Sequence, residues 1–193
     1  MGIQVRPAES AEEREAVYRL VHDAYVASGW ITSRPDSRLV HYGRMNEIPE
    51  TTVLVAREDG LLAGTCSLTR DGPGGLHVDE DFHPEADLVR REGRRLAASW
   101  RIATAEGHRA GSRVIKALLW ANVEFWRKYG IETCLMTFAP EHEAVYRRLL
   151  HCKTIAKVEA TRSLSKPLVL MRFDWEDCPA YWQSGKHSYD IRV

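Results

Sequence analysis

Between two helix-breaking residues, Gly130 and Pro140, the chain runs through an apolar stretch at residues 133–139. A short run of this kind belongs at the centre of a sheet, buried on both faces. Its neighbours supply the helices that cover it. Upstream, Val114, Ile115, Leu118, Leu119, Phe125 and Trp126 form the apolar stripe of a long helix. Ser112 stands at the start of that helix as a cap, and Gly130 stops it. Downstream, Pro140 opens a shorter helix that reaches about Leu150.

The first half has a different rhythm. Residues 3–6 make a short strand. Ser10 with Glu13 three residues on is a capping box for a helix carrying Val17, Leu20, Val21 and Ala24, which ends before Gly29. Residues 31–50 are polar and irregular, with Pro35 and Pro49 as breakers. Residues 52–57 and 61–69 flank Asp59-Gly60, a strong hairpin signal. A glycine-rich loop follows Asp71, and residues 76–91 show no clear element. Residues 94–102 are a strand, and 107–112 a glycine-bearing turn. Residues 155–160 and 168–174 are the final strands. This order does not alternate from its start as a doubly wound sheet would, so it predicts a mixed α/β or α+β sheet.

At 193 residues the chain suits one domain, with an aromatic-rich C-terminal extension from about residue 175. Six Trp, seven Tyr and four Phe exclude a chain that stays disordered. No run approaches 18 apolar residues and no apolar leader opens the chain, so no membrane association and a cytoplasmic location are expected. Cys66, Cys134, Cys152 and Cys178 are widely spaced and are expected as reduced thiols. Twenty-seven basic residues balance twenty-seven acidic ones, which argues against nucleic-acid binding. Nucleophile-elbow, zinc-protease, Walker and dinucleotide motifs are absent, and neither a metal nor a resident cofactor is expected.

Three stretches carry a resemblance: 19–30, ending Gly29-Trp30; Glu92-Gly-Arg-Arg95-Leu96; and Trp120-Ala121 followed by Gly130 and the apolar strand. Together they resemble the GNAT acyltransferases, in the branch of acyl-homoserine-lactone synthases and N-acyl amino acid synthases. The likeness spans roughly residues 5–175. It implies a mostly antiparallel sheet with a splayed strand pair forming the acyl-donor cleft. The lactone synthases carry an acidic cluster after the Gly-Trp that serves S-adenosylmethionine. Here the loop is Ser33-Arg34-Pro35-Asp36-Ser37-Arg38, and the family's arginine near the end of the third strand is replaced around Ser67. The resemblance therefore points to N-acyl amino acid synthases, with tyrosine or another apolar amino acid as acceptor. Arg109-Ala-Gly111-Ser112 is only a fragment of the usual coenzyme A pyrophosphate loop. That favours an acyl carrier protein donor, whose 4'-phosphopantetheine arm carries a long fatty acyl chain. The alternatives are an acetyl-CoA N-acetyltransferase, an acyl-homoserine-lactone synthase, and a non-catalytic acyl or carrier-protein binding module.

Amide formation from a thioester needs a neutral amine, a polarised carbonyl and a protonated leaving thiolate. By family position Glu92 is the expected base, with Arg95 orienting it. His142 and Tyr146 lie four apart on one helix face, where either can reprotonate the thiolate. The resemblance places the carbonyl and pantetheine along Ala97, Ala98, Ser99, Trp100 and Arg101, with Leu135, Thr137 and Phe138 across the cleft. Leu118, Leu119 and Met136 extend the expected acyl tunnel, and Gly107, Gly111 and Ser112 receive the phosphate. Trp30, Arg34, Arg38 and Tyr146 are expected around the amino acid, its carboxylate on the basic loop.

Charge is uneven along the chain. Residues 90–116 hold Arg90, Arg91, Arg94, Arg95, Arg101, Arg109, Arg113 and Lys116 against only Glu92 and Glu106. Residues 71–87 hold six acidic residues and no Lys or Arg. Either the two segments neutralise each other, or Arg90, Arg91, Arg109, Arg113 and Lys116 dock an acidic carrier protein.

Overall fold

The computed structural model describes residues 2–105, 111–162, 164 and 166–193. One eight-stranded sheet has the order β6-β7-β5-β4-β3-β2-β1-β8. Its strands are β1 (Ile3–Pro7), β2 (Thr51–Glu58), β3 (Leu61–Arg70), β4 (Leu96–Thr104), β5 (Thr133–Phe138), β6 (Lys153–Val158), β7 (Leu168–Asp174) and β8 (Asp190–Ile191). Only β4–β5 and β1–β8 are parallel; every other pairing is antiparallel. The helices are α1 (Ala11–Ala27), α2 (His83–Arg90), α3 (Gly111–Tyr129), α4 (Glu143–Leu150) and α5 (Ala180–Gln183).

The local signals explain most of these boundaries. Ser10 Oγ accepts from the Glu13 amide at 3.2 Å, capping α1. The other half of the expected capping box is absent. The Glu13 carboxylate instead takes Arg6 and Arg57, and the Glu9 amide, because a buried cation pair outbids one backbone donor. Asp59 and Gly60 both have positive φ, 53° and 82°, as the tight β2–β3 hairpin requires. Gly130, at φ 59°, ends α3. That helix starts at Gly111, so Ser112 sits inside its first turn rather than capping it. Gly107 and Arg109 lie outside the described residues.

Helix α2 and the short 3-10 helix before it (His77–Glu80) occupy the stretch that shows no clear element in the sequence. Phe82, Ala86 and Val89 are buried at helical spacing against Leu96, Ala98, Leu135 and Leu170 on one face of the sheet. The opposite face packs on α3 through Val114, Leu118, Trp120, Val123, Phe125 and Trp126. The C-terminal extension is packed. Trp182 is buried, its ring 4.7 Å from Trp120, and β8 pairs with β1. All four cysteines are free and buried.

Helix α3 sits tightly against the sheet at Gly64. A Cβ there would stand 2.6 Å from a Val114 methyl and 3.0 Å from the Ala103 carbonyl oxygen. Val114 is β-branched and fully buried, so it has no free rotamer to adopt. Gly64→Ala is expected to cost about 1–3 kcal/mol by overpacking, read from urea unfolding. A loss under about 0.5 kcal/mol would show that α3 can ride up off β3 without strain.

Candidate functional site

β4 and β5 pair over four residue pairs, from Leu96↔Thr133 to Ser99↔Met136. Beyond them β4 stays with β3 and β5 stays with β7, so the two strands part. The gap opens into a cavity of about 610 Å³. Residues 100–105 and 137–139 form its strand walls. Ala24, Tyr25, Ala27, Ser28 and Trp30 close it from α1, His41 and Tyr42 from the following loop, and Ile115 from α3. His142, Val145 and Tyr146 stand on the α4 side, with Leu164 and Leu168 beyond. Among the described residues the lining contains no Asp or Glu.

The lining is largely aromatic. Tyr42 meets the Trp100 ring edge-on at 5.5 Å, and His41 stacks on Tyr42 at 3.9 Å. His77, behind them, stacks on Trp100 at 5.7 Å and sits 3.2 Å from Thr137 Oγ1 through Nε2. Burial pushes both imidazoles down to about 3, helped for His41 by Arg101 and Arg34 and for His77 by His41. Both are therefore neutral at neutral pH. Tyr146 stacks on Phe138 at 3.6 Å, and burial raises its phenol, which keeps it protonated.

Arg101 is the one Arg or Lys of this lining among the described residues and is almost wholly buried. It occupies the left-handed region, φ 54°, where the β3–β4 register shifts between Thr65 and Ser67. This bulge re-aims its side chain. Nε and Nη2 donate to Ser67 Oγ at 3.1 and 2.7 Å.

The expected site residues divide into two groups. Trp30, Trp100, Arg101, Thr137, Phe138, His142 and Tyr146 come together around the cavity. Ala97, Ala98 and Leu135 are core residues instead, and Ser99 Oγ faces Cys66 Sγ at 3.4 Å. Leu118, Leu119 and Met136, expected in an acyl tunnel, pack in the core under α3. Gly111 and Ser112 open α3 beside the cavity without lining it; Ser112 lines the neighbouring groove.

Glu92 lies at the other end of β4. Leu96 precedes Trp100 by four strand residues, about 13 Å at the usual rise. Its carboxylate takes both Arg172 guanidinium nitrogens at 2.6 Å, which lowers its pKa. Arg95 does not orient it; Arg95 is exposed and approaches Glu132 at 3.7 Å. Nor does the basic loop face the cavity. Arg38 donates to Glu15 at 2.8 Å, and Arg34 uses its backbone amide to hold His22, its side chain exposed.

The described docking cations, Arg90, Arg91, Arg113 and Lys116, form no single patch. Arg90 is clasped by Asp71, Asp79 and Asp87, so here the acidic and basic segments neutralise each other. Arg91 is exposed at that same end of β4. Arg113, paired with Glu58, and Lys116, 5.0 Å above the Tyr181 ring, lie at the opposite end, beside the cavity.

His41, Tyr42 and Tyr25 were not foreseen as site residues. The signal available was a His-Tyr pair beside apolar Leu39 and Val40 within an otherwise polar loop. Among the described residues no group of three His, Cys, Asp or Glu side chains is placed to hold a metal ion, and no helix is long and apolar enough to cross a membrane.

The fold is similar to those of several solved structures. An acetyltransferase assigned to the GNAT family from Desulfovibrio desulfuricans superposes with a TM-score of 0.58 at 16% identity, over 89% of this chain and 98% of its own. The coenzyme A-dependent acyl-homoserine lactone synthase BjaI gives 0.65 at 17% identity, covering 99% of this chain and 92% of its own. The N-acyl amino acid synthase FeeM from uncultured soil microbes gives 0.78 at 21% identity, over 95% and 94% of the two chains. No curated protein sequence matches the chain. The fold is that of a GNAT-type acyltransferase. Residues 16–174 match the family of the N-acyl amino acid synthase FeeM, and the chain belongs to that family. It is an N-acyltransferase.

The buried histidines make stability depend on pH. Unfolded, each titrates near 6.5; folded, near 3. Between these values the unfolded chain binds more protons, so stability falls as pH falls, by up to about 1.4 kcal/mol per pH unit per ring. Urea midpoints should drop from pH 7 to pH 5, above the range where carboxylates such as Glu13, held at about 2 by Arg6, contribute. His77→Gln should flatten the drop; a flat wild-type profile would mean that both rings accept protons in place.

The position of Glu92 gives a second expectation. Its carboxylate is half exposed to screening solvent, so Glu92→Gln should cost no more than about 1 kcal/mol. Turnover should stay within about threefold of wild type, whereas loss of a general base costs on the order of a hundredfold or more. A hundredfold fall in kcat in a folded variant would return Glu92 to the role of base.

Proposed function

We propose that the enzyme moves a long fatty acyl chain from an acyl carrier protein to the α-amine of an apolar or aromatic amino acid, tyrosine foremost. The observation that carries this reading is the parting of β4 from β5 above an apolar, aromatic cavity. The cavity volume falls in the roughly 300–1,000 Å³ range of small-molecule sites. The β5-facing backbone edge of residues 100–104 has no strand partner, and its amides can hold the pantetheine and the thioester carbonyl. Ile102, Ala103, Phe138 and Leu168 offer apolar contacts to the chain. A lining without carboxylates among the described residues suits an amino acid better than the sulfonium of S-adenosylmethionine. Lys116 and Arg113, beside the cavity, suit the approach of an acidic carrier.

In this reading the amine attacks the thioester carbonyl, its proton leaving through water to His142 at the cavity rim. The C–S bond breaks as the tetrahedral oxyanion collapses, and Tyr146 gives its proton to the departing thiolate. A buried phenol with a raised pKa is held protonated for that step.

Acyl transfer to tyrosine should be compared for acetyl-CoA, lauroyl-CoA and lauroyl carrier protein, with products identified by mass spectrometry. Each buried methylene contributes about 0.8 kcal/mol, so kcat/KM should climb steeply with chain length and be highest for the carrier donor. Tyr146→Phe should lower kcat with little change in KM. Equal rates from acetyl to lauroyl, or turnover only with S-adenosylmethionine, would overturn the reading.

A further inference from the structure

We infer that Arg101 anchors the α-carboxylate of the acceptor, so that the enzyme takes α-amino acids and discriminates against the amines that lack the carboxylate. The inference rests on reading the cavity as the acyl-acceptor site. Its basis is a cation with no charge partner. Arg101 is 3% exposed, yet no described carboxylate lies within ion-pair distance of it. Arginines less deeply buried are mostly paired with carboxylates, Arg6 and Arg57 with Glu13, Arg90 with Asp71 and Asp79, and Arg172 with Glu92 and Asp174, while half-buried Arg70 rests 4.7 Å over the Tyr129 ring. A buried charge is costly unless something answers it.

The answer inside the chain is partial. The Ser67 hydroxyl accepts from Nε and Nη2, and the guanidinium lies 4.6 Å from the Trp100 ring centre and 5.5 Å from that of Tyr18. Nη1 is buried and has no partner among the described residues. Burial lowers the guanidinium pKa to about 10, so it is still a cation at neutral pH. A planar cation with an open Nη1, at a cavity whose described residues include no carboxylate, fits a carboxylate, which guanidinium binds with charge-assisted hydrogen bonds. A carboxylate held there keeps the amine two bonds away, beside the parted strands where the thioester enters. The pantetheine phosphate is a poorer match. It is esterified to the carrier protein, so it stays at the carrier's surface and cannot follow the arm to a buried nitrogen.

The test is equilibrium binding to the intact enzyme by calorimetry, using N-lauroyl-L-tyrosine and N-lauroyltyramine, which differ only in the carboxylate. Wild type should bind the tyrosine compound roughly 10- to 100-fold more tightly, the range for hydrogen bonds to a charged group. Arg101→Gln should erase that preference while melting no lower than wild type, because it removes an uncompensated buried cation. Equal affinities in wild type would overturn the role of Arg101 and leave the acceptor site standing; this comparison does not depend on the variant folding. Binding of neither compound would overturn both the inference and the reading beneath it. A third arm compares S-lauroyl-4'-phosphopantetheine with S-lauroylpantetheine. An Arg101→Gln loss confined to the phosphorylated donor would place Arg101 in the donor site instead.

Discussion

Four residue pairs hold β4 to β5, and the functional architecture follows from their number. Each strand is fixed on its outer side, β4 by β3 and β5 by β7, so parting costs the inner hydrogen bonds alone. Those unpaired groups persist only because they face a cavity that a ligand or water can fill. The crossover between the two strands is α3, whose tight seat over Gly64 fixes how far β4 can follow β5. The bulge at Thr65–Ser67 completes the opening by turning Arg101 out of the regular strand pattern.

The sequence made the frame readable where one local rule decided the outcome. The Asp59-Gly60 hairpin, the Ser10 cap, the Gly130 stop and the 168–174 strand all depend on neighbours within a turn or two. Helix α2 is hard to read because its eight residues hold as many charged groups as apolar ones, although Phe82, Ala86 and Val89 keep helical spacing. The site was harder to read. Glu92 stands near the start of β4, but which end of β4 meets the cavity depends on where β5 leaves it, a contact between segments far apart in sequence. Arg38 looked available because Glu15, which holds it, is 23 residues away. Arg101 was placed in the site by its strand, but its isolation from carboxylates emerges only in three dimensions.

Charge placement follows the same logic. Near the start of β4 the cations are consumed by structure: Arg90 draws in the acidic loop, and Arg172 joins Glu92 to Asp174. At the other end the aromatic shell carries no acid among the described residues, and His41 and His77 are too buried to take a proton. The Arg90 and Arg172 clusters thus lie on the side away from the cavity, and a buried guanidinium stands where the strands part.

The four thiols bear on how such a chain survives its own substrates. An activated acyl thioester will exchange onto any accessible thiolate. Here Cys66, Cys134, Cys152 and Cys178 are all buried, and burial raises each thiol, to about 12 for Cys152 and about 11 for Cys178. None of them lines the cavity. The enzyme can therefore hold a reactive acyl group without a cysteine intercepting it, and it is protected from capping itself by self-acylation.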